Sequence, residues 1–199
     1  MIELLSMPQR SLLEQSSESE GPAFAFLELC AIADGLVAYD AILKRAPVVA
    51  HRGLMVYPGK YLIALQGKEE ALLEALRAGR RVAQDAEVDA LLLTSPASEL
   101  RQLISAPQRS PIDALGLLET YGLVAAIRGA DAALKAASVR GLALHLDGSL
   151  GGKGLFLFTG ALEDVEAALE VGVAAASRAQ LCSARVIARP DEGLRNQLS

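Results

Sequence analysis

Two glutamates, Glu28 and Glu119, stand inside apolar runs, and two lysines, Lys44 and Lys135, stand near the ends of helix-like segments. Paired carboxylates can work as general acid and base. A carboxylate recurring at the same place in a duplicated scaffold reads instead as a repeated structural hydrogen bond. Nucleophilic chemistry needs a nucleophile beside a base. The two histidines, His51 and His145, fall in strand-like segments, where a packed or edge position is expected. Cys30 and Cys182 lack CxxC spacing and read as reduced, buried thiols, outside any disulfide or zinc site. The run Ser149-Leu150-Gly151-Gly152-Lys153-Gly154 invites a phosphate-loop reading, but Asp147 stands where the first glycine belongs and Gly154 where Ser or Thr must follow lysine. The dinucleotide pattern is not completed there either, and no helix follows. A tight turn between strands explains these glycines, since glycine supplies positive φ at no steric cost. No catalytic constellation, metal site or cofactor is expected.

The elements that position these residues occur twice. Phe24 to Val48 lies on Leu115 to Val139 without a gap, placing Glu28 on Glu119, Asp40 on Asp131 and Lys44 on Lys135. The match resumes with Gly59-Lys60 on Gly152-Lys153, Gly67 on Gly160 and Glu70 on Glu163. Each half closes on an apolar strand ending in proline, Pro96 or Pro190. A unit this long is a duplicated domain, not a solenoid repeat. The pattern predicts strands over 23–31, 48–57, 61–66 and 88–94 with helices over 34–46 and 68–84. The second copy repeats the order with strands over 112–119, 139–147, 154–159 and 181–188 and helices over 124–137 and 161–177. Residues 100–111 read as a connector. The fold class is α+β, two tandem β-α-β-β-α-β units with helices covering one sheet face. Residues 1–21, with the polar run from Gln15 to Gly21, form an N-terminal extension before domains at 22–106 and 107–199.

Composition narrows the function. At 199 residues each domain is near the lower size limit for its own core, so fusion and oligomerisation should help. Hydrophobic residues make up 52% of the chain, mostly Ala, Leu and Val with no Trp, which suits close backbone approach over broad contacts. Glu163, Asp164, Glu166, Glu170 and Arg178 interrupt the Ala-rich C-terminal segment, so no membrane span is expected. A net charge of −5 opposes nucleic-acid binding, which needs a basic field. The start Met1-Ile2-Glu3 does not read as a secretory signal, and a cytoplasmic location is expected.

Gly116 to Ile127 (GLLETYGLVAAI), Ala130 to Ala137 (ADAALKAA), Gly151-Gly152-Lys153 and Val186 to Pro190 together closely resemble the bacterial microcompartment shell domain. The likeness covers the second copy almost completely and the first, more diverged, from Ala23 to about Leu100. The chain thus resembles a tandem-domain shell protein with non-permuted element order, similar to the propanediol-utilisation trimers. The resemblance implies a non-enzymatic, structural shell-facet protein: a homotrimer forming a pseudohexameric tile with a central pore for small metabolites. Its implied partners are other shell proteins and encapsulated enzymes, in the microcompartment shell. It also implies that Tyr57, Pro58, Gly59, Ser149, Leu150, Gly151 and Gly152 line the pore. Lys44, Lys135 and Arg189 would make the contacts between tile edges, and Ser95 replaces the arginine in the first copy, so that alternate edges tile unequally. The alternative is a redox shell protein holding a metal or iron–sulfur centre at the pore; a cluster-bearing relative has cysteine where this chain has Tyr57.

Overall fold

The computed structural model describes residues 23–146 and 150–198. The first repeat runs β1 (Ala23–Leu29), α1 (Ile32–Arg45), β2 (Ala50–Val56), β3 (Lys60–Gly67), α2 (Glu69–Ala83) and β4 (Glu87–Leu93). A short helix, α3 (Leu100–Ser105), follows. The second repeat runs β5 (Ala114–Thr120), α4 (Leu123–Ala136), β6 (Arg140–His145), β7 (Gly154–Gly160), α5 (Leu162–Ala176) and β8 (Leu181–Ile187), then α6 (Glu192–Leu198). The proposed extension at 1–21 and Ser149 lie outside the described residues.

Each repeat makes one four-stranded antiparallel sheet, in the orders β2-β3-β1-β4 and β6-β7-β5-β8. The duplication extends to register. Glu28 lies between Leu62 and Asp89, and Glu119 between Leu155 and Ser183. Both central strands carry an irregularity on the side of the last strand, between Glu28 and Leu29 and between Glu119 and Thr120.

Strand β1 is buried on both sides, which explains its nearly unbroken apolar sequence. Ala25, Leu27 and Leu29 join the core shared with α1 and α2, whereas Phe24 and Phe26 join a core that includes α3 and much of the second repeat. On the same side of the second sheet, Leu115 and Leu117 pack with Leu194 and Leu198 of α6. Both sheet faces are therefore covered, contrary to the one-face expectation. The connector is also partly helical. The duplication in fact continues past the prolines, with Leu100-Arg101 answered by Leu194-Arg195. Helices of six and seven residues show too few turns for periodicity to reveal them, and they form here because tertiary packing holds them.

The small residues do close the two helices of the second repeat onto each other. A side-chain carbon added at Gly129 would meet Leu118 and lie 3.0 Å from the carbonyl oxygen of Gly172; one added at Gly172 would lie 3.0 Å from the Gly129 oxygen. Close-packed cores accept such additions poorly. Gly129→Val should lower unfolding free energy by about 1–3 kcal/mol, read as a lower urea midpoint at unchanged slope.

Candidate functional site

The groups with recurring chemistry gather where the two repeats meet. Glu28 projects from β1 and is fully buried. Its Oε2 accepts the Val124 backbone N–H at 3.0 Å, in the first turn of α4. Gly122, which begins that helix, has no side chain to cap it, so the other repeat supplies the acceptor. A carboxylate there satisfies an orphan donor and faces the positive end of the helix dipole. Gly122 also makes room, since an added side-chain carbon would come within 3.2 Å of Glu28 Oε2. Lys60 of β3 neutralises the buried charge: its Nζ donates to Glu28 Oε1 at 2.8 Å, to Tyr121 O at 2.7 Å and to Gly152 O at 2.9 Å. Both Glu28 oxygens are bonded and the side chain is fully buried, so this carboxylate faces no substrate.

A second polar tie lies beside it. Arg128 of α4 grips Asp89 of β4 with two bonds of 2.8 and 2.7 Å and donates to Ala90 O at 3.1 Å. Asp131 accepts the Ala97 N–H at 2.7 Å and pairs with Lys135 at 2.6 Å. The seam thus has three carboxylates, Glu28 and Asp89 from the first repeat and Asp131 from the second, and three cations, Lys60, Arg128 and Lys135, arranged as structural ties.

The repeated carboxylate does recur as a repeated pair, because Glu119 accepts from Lys153 at 2.9 Å. That copy is not covered. Side-chain exposure is 31% for Glu119 and 38% for Lys153, against 0% and 22% for Glu28 and Lys60. The Glu119 carboxylate, with the Cys182 sulfur as a lesser influence, holds the Lys153 ammonium pKa above its ordinary value.

The structure brings the turns of the two repeats together. A carbon added at Gly152 would lie 3.2 Å from the Tyr57 carbonyl oxygen and 3.3 Å from Pro58. Tyr57 is 76% exposed and Pro58 is exposed, and the Tyr57-Pro58 peptide is cis. Gly59, Gly151 and Gly152 have φ of 143°, 65° and 78°, which L side chains rarely adopt. Leu150 is half-buried in the same turn. Lys44 and Lys135 both lie exposed in the last turns of α1 and α4, each paired with the aspartate four residues earlier at 2.6 Å. Arg189 is exposed just after β8.

His51 lies exposed on edge strand β2, 2.6 Å from the Tyr39 hydroxyl, and His145 is half-buried at the end of edge strand β6. Burial pushes the Tyr39 phenol above its ordinary value, so the phenol stays protonated near neutrality. The expectation of buried thiols fails: both cysteines are free, but Cys30 is exposed and Cys182 is half-buried. Cys30 follows the end of β1, and Cys182 sits opposite the β5 irregularity on an edge strand, so neither reaches the core. Among the described residues no three His, Cys, Asp or Glu side chains gather as a metal would require. No described helix is long and apolar enough to cross a membrane.

Two equivalent α+β domains fused through a polar seam, with paired turns at one corner and charged helix ends at another, define a modular assembly protein. The BMC domain model matches residues 23–96 and 114–190, and the chain belongs to this family. It is 35% identical over 178 residues to the bacterial microcompartment shell protein PduT of Citrobacter freundii, covering 88% of this chain and 97% of that one. It is also 46% identical over 82 residues to the shell protein EutK of Escherichia coli, covering 41% of this chain and 48% of EutK. The crystal structure of a microcompartments protein from Desulfitobacterium hafniense DCB superposes with a TM-score of 0.74 at 30% identity, covering 87% and 98% of the two chains. The protein is therefore a tandem-domain bacterial microcompartment shell protein with a structural role.

Removing Lys60 tests the seam. Lys60→Met leaves the fully buried Glu28 carboxylate without its counter-charge, a change that costs about 3–5 kcal/mol in buried pairs. Thermal unfolding should show a large fall for Lys60→Met. Glu28→Gln combined with Lys60→Met should recover part of the loss.

Proposed function

We propose that the chain is a shell-facet tile, a trimer whose six domains close a pseudohexagonal ring around a pore for small metabolites. The observation that carries this reading is the meeting of the two turns, with Lys60 bonded to Gly152 O and Gly152 set against Tyr57 and Pro58. Adjacent domains in a ring must bring equivalent turns toward a common axis, and a two-domain chain needs three copies to complete six positions. Tyr57, Pro58, Gly59, Ser149, Leu150, Gly151 and Gly152 are the proposed pore lining. Tyr57 would present three phenols, which donate and accept hydrogen bonds.

On this reading the two shell domains span 22–106 and 107–199, after an extension at 1–21. Lys44, Lys135 and Arg189 are the proposed edge contacts. The lysine charges are already paired within each helix by Asp40 and Asp131, which lets two edges approach without two bare cations meeting. The tile has no catalytic role of its own. Its partners are other shell proteins and the enclosed enzymes, inside the cell at the microcompartment shell.

Native mass spectrometry at micromolar concentration should show the trimer as the dominant species, and a dominant monomer or dimer would remove the tile reading. Lys44→Asp and Lys135→Asp should each keep the trimer while weakening two-dimensional sheets seen by electron microscopy. Wild-type sheets in both variants would show that the edge lies elsewhere.

A further inference from the structure

The seam inside the chain uses one flank of each domain and leaves the opposite flanks bare. The first domain contributes Glu28, Lys60 and Asp89 to it. The second contributes the first turn of α4, the Tyr121 and Gly152 carbonyls, and Arg128. The repeat places the missing halves on the bare flanks. By strand register and helix position, Glu119, Lys153 and Ser183 of the second domain stand where Glu28, Lys60 and Asp89 stand in the first. On the first domain, Ala33 N, Cys30 O, Gly59 O and Val37 stand where Val124 N, Tyr121 O, Gly152 O and Arg128 stand in the second.

Both bare flanks have the character of an uncovered interface. Leu36 and Val37 on α1 are 50% and 58% exposed, whereas Ile127, the α4 counterpart of Leu36, is fully buried against the first domain. Ala31, which begins α1, makes no side-chain cap. Glu119 and Lys153 already hold each other at 2.9 Å, and both side chains remain partly exposed.

We infer that these flanks dock between copies of this chain: Glu119 of one copy accepts the Ala33 N–H at the start of α1 of the next. Lys153 then donates to the carbonyls of residues 30 and 59, and Leu36 and Val37 pack against β8. This rests on the trimer reading and adds the chemistry of its subunit contact. The contact is head-to-tail, because only second-domain and first-domain flanks are complementary. It is also unequal to the seam within the chain. Val37 and Ser183 replace the Arg128–Asp89 pair, and Ala31 carries a methyl where Gly122 has none, so Glu119 must sit a few tenths of an ångström further out. Two kinds of seam therefore alternate around the ring, three covalently bridged and three open.

The test measures trimer dissociation by native mass spectrometry and sedimentation across a dilution series, with circular dichroism melts to confirm folding. Val37→Asp lies on an exposed site of the single chain, so its monomer should fold, and it should raise the dissociation constant at least tenfold, on the order of a lost close contact. Glu119→Gln should act in the same direction. Val37→Arg with Ser183→Asp transplants the buried pair to the open seam and should be roughly tenfold tighter than Val37→Arg alone. A wild type that is not trimeric overturns the tile reading and this inference together. A trimeric wild type with unchanged Val37→Asp and Glu119→Gln curves overturns the inference alone, and a double variant no tighter than Val37→Arg overturns the assigned facing. Filaments lost in Val37→Asp would uphold the seam while overturning closure at three.

Discussion

The arrangement of the chain depends on one buried carboxylate. Glu28 belongs to the first sheet but finds its hydrogen-bond donor in the first turn of a helix of the second repeat. An unpaired carboxylate in that position would be prohibitive, and pairing must come with good geometry to be tolerated. Lys60 provides it and simultaneously satisfies two carbonyls of the other domain. Any slip of one domain along the other would break together the three bonds that cross between them. The pair consequently acts as a register device: apolar contacts around Leu91, Leu93 and Ile127 supply the attraction, and Glu28 allows them only one alignment.

Much of this was legible in the sequence, and the reasons are specific. A carboxylate inside an apolar strand, present twice, pointed to a structural role, and both copies are ion-paired to the lysine after a turn glycine. The repeat also carried the element order of both domains, because helical and strand periods recur in register. What it could not carry was the difference between the copies. Glu28–Lys60 spans the seam and Glu119–Lys153 does not, a distinction that exists only once the domains are docked. Arg128–Asp89 has no echo in the other half, so a reading built on matches passes over it.

The other misses share a cause in scale. Helices α3 and α6 are too short to announce themselves by periodicity, although the Leu-Arg pair that opens the first and recurs in the second was available as a signal. They matter because they give each sheet a second covered face; Arg101 lays its guanidinium 4.7 Å from the centre of the Phe24 ring. Cysteine's usual burial misled for Cys30 because burial follows position, and the residue just past a strand end faces outward before the helix turns back.

Duplication followed by fusion frees two copies of one interface to diverge, and the direction of divergence here has a physical logic. A tethered seam forms at a high effective concentration and needs little intrinsic affinity. It can therefore hold a partly buried Arg–Asp pair, whose desolvation offsets much of its Coulomb gain but whose fork geometry fixes orientation. A seam between separate copies must overcome the entropy of association, which leaves less room for desolvating ions. Val37 and Ser183, in place of Arg128 and Asp89, remove that cost and expose apolar area for burial instead. The Glu–Lys pair is retained on both flanks because a helix start and two carbonyls need partners wherever two of these domains meet. On this view the conserved half of the interface sets alignment, and the diverged half sets affinity separately for the seam that is covalent and the seam that must assemble.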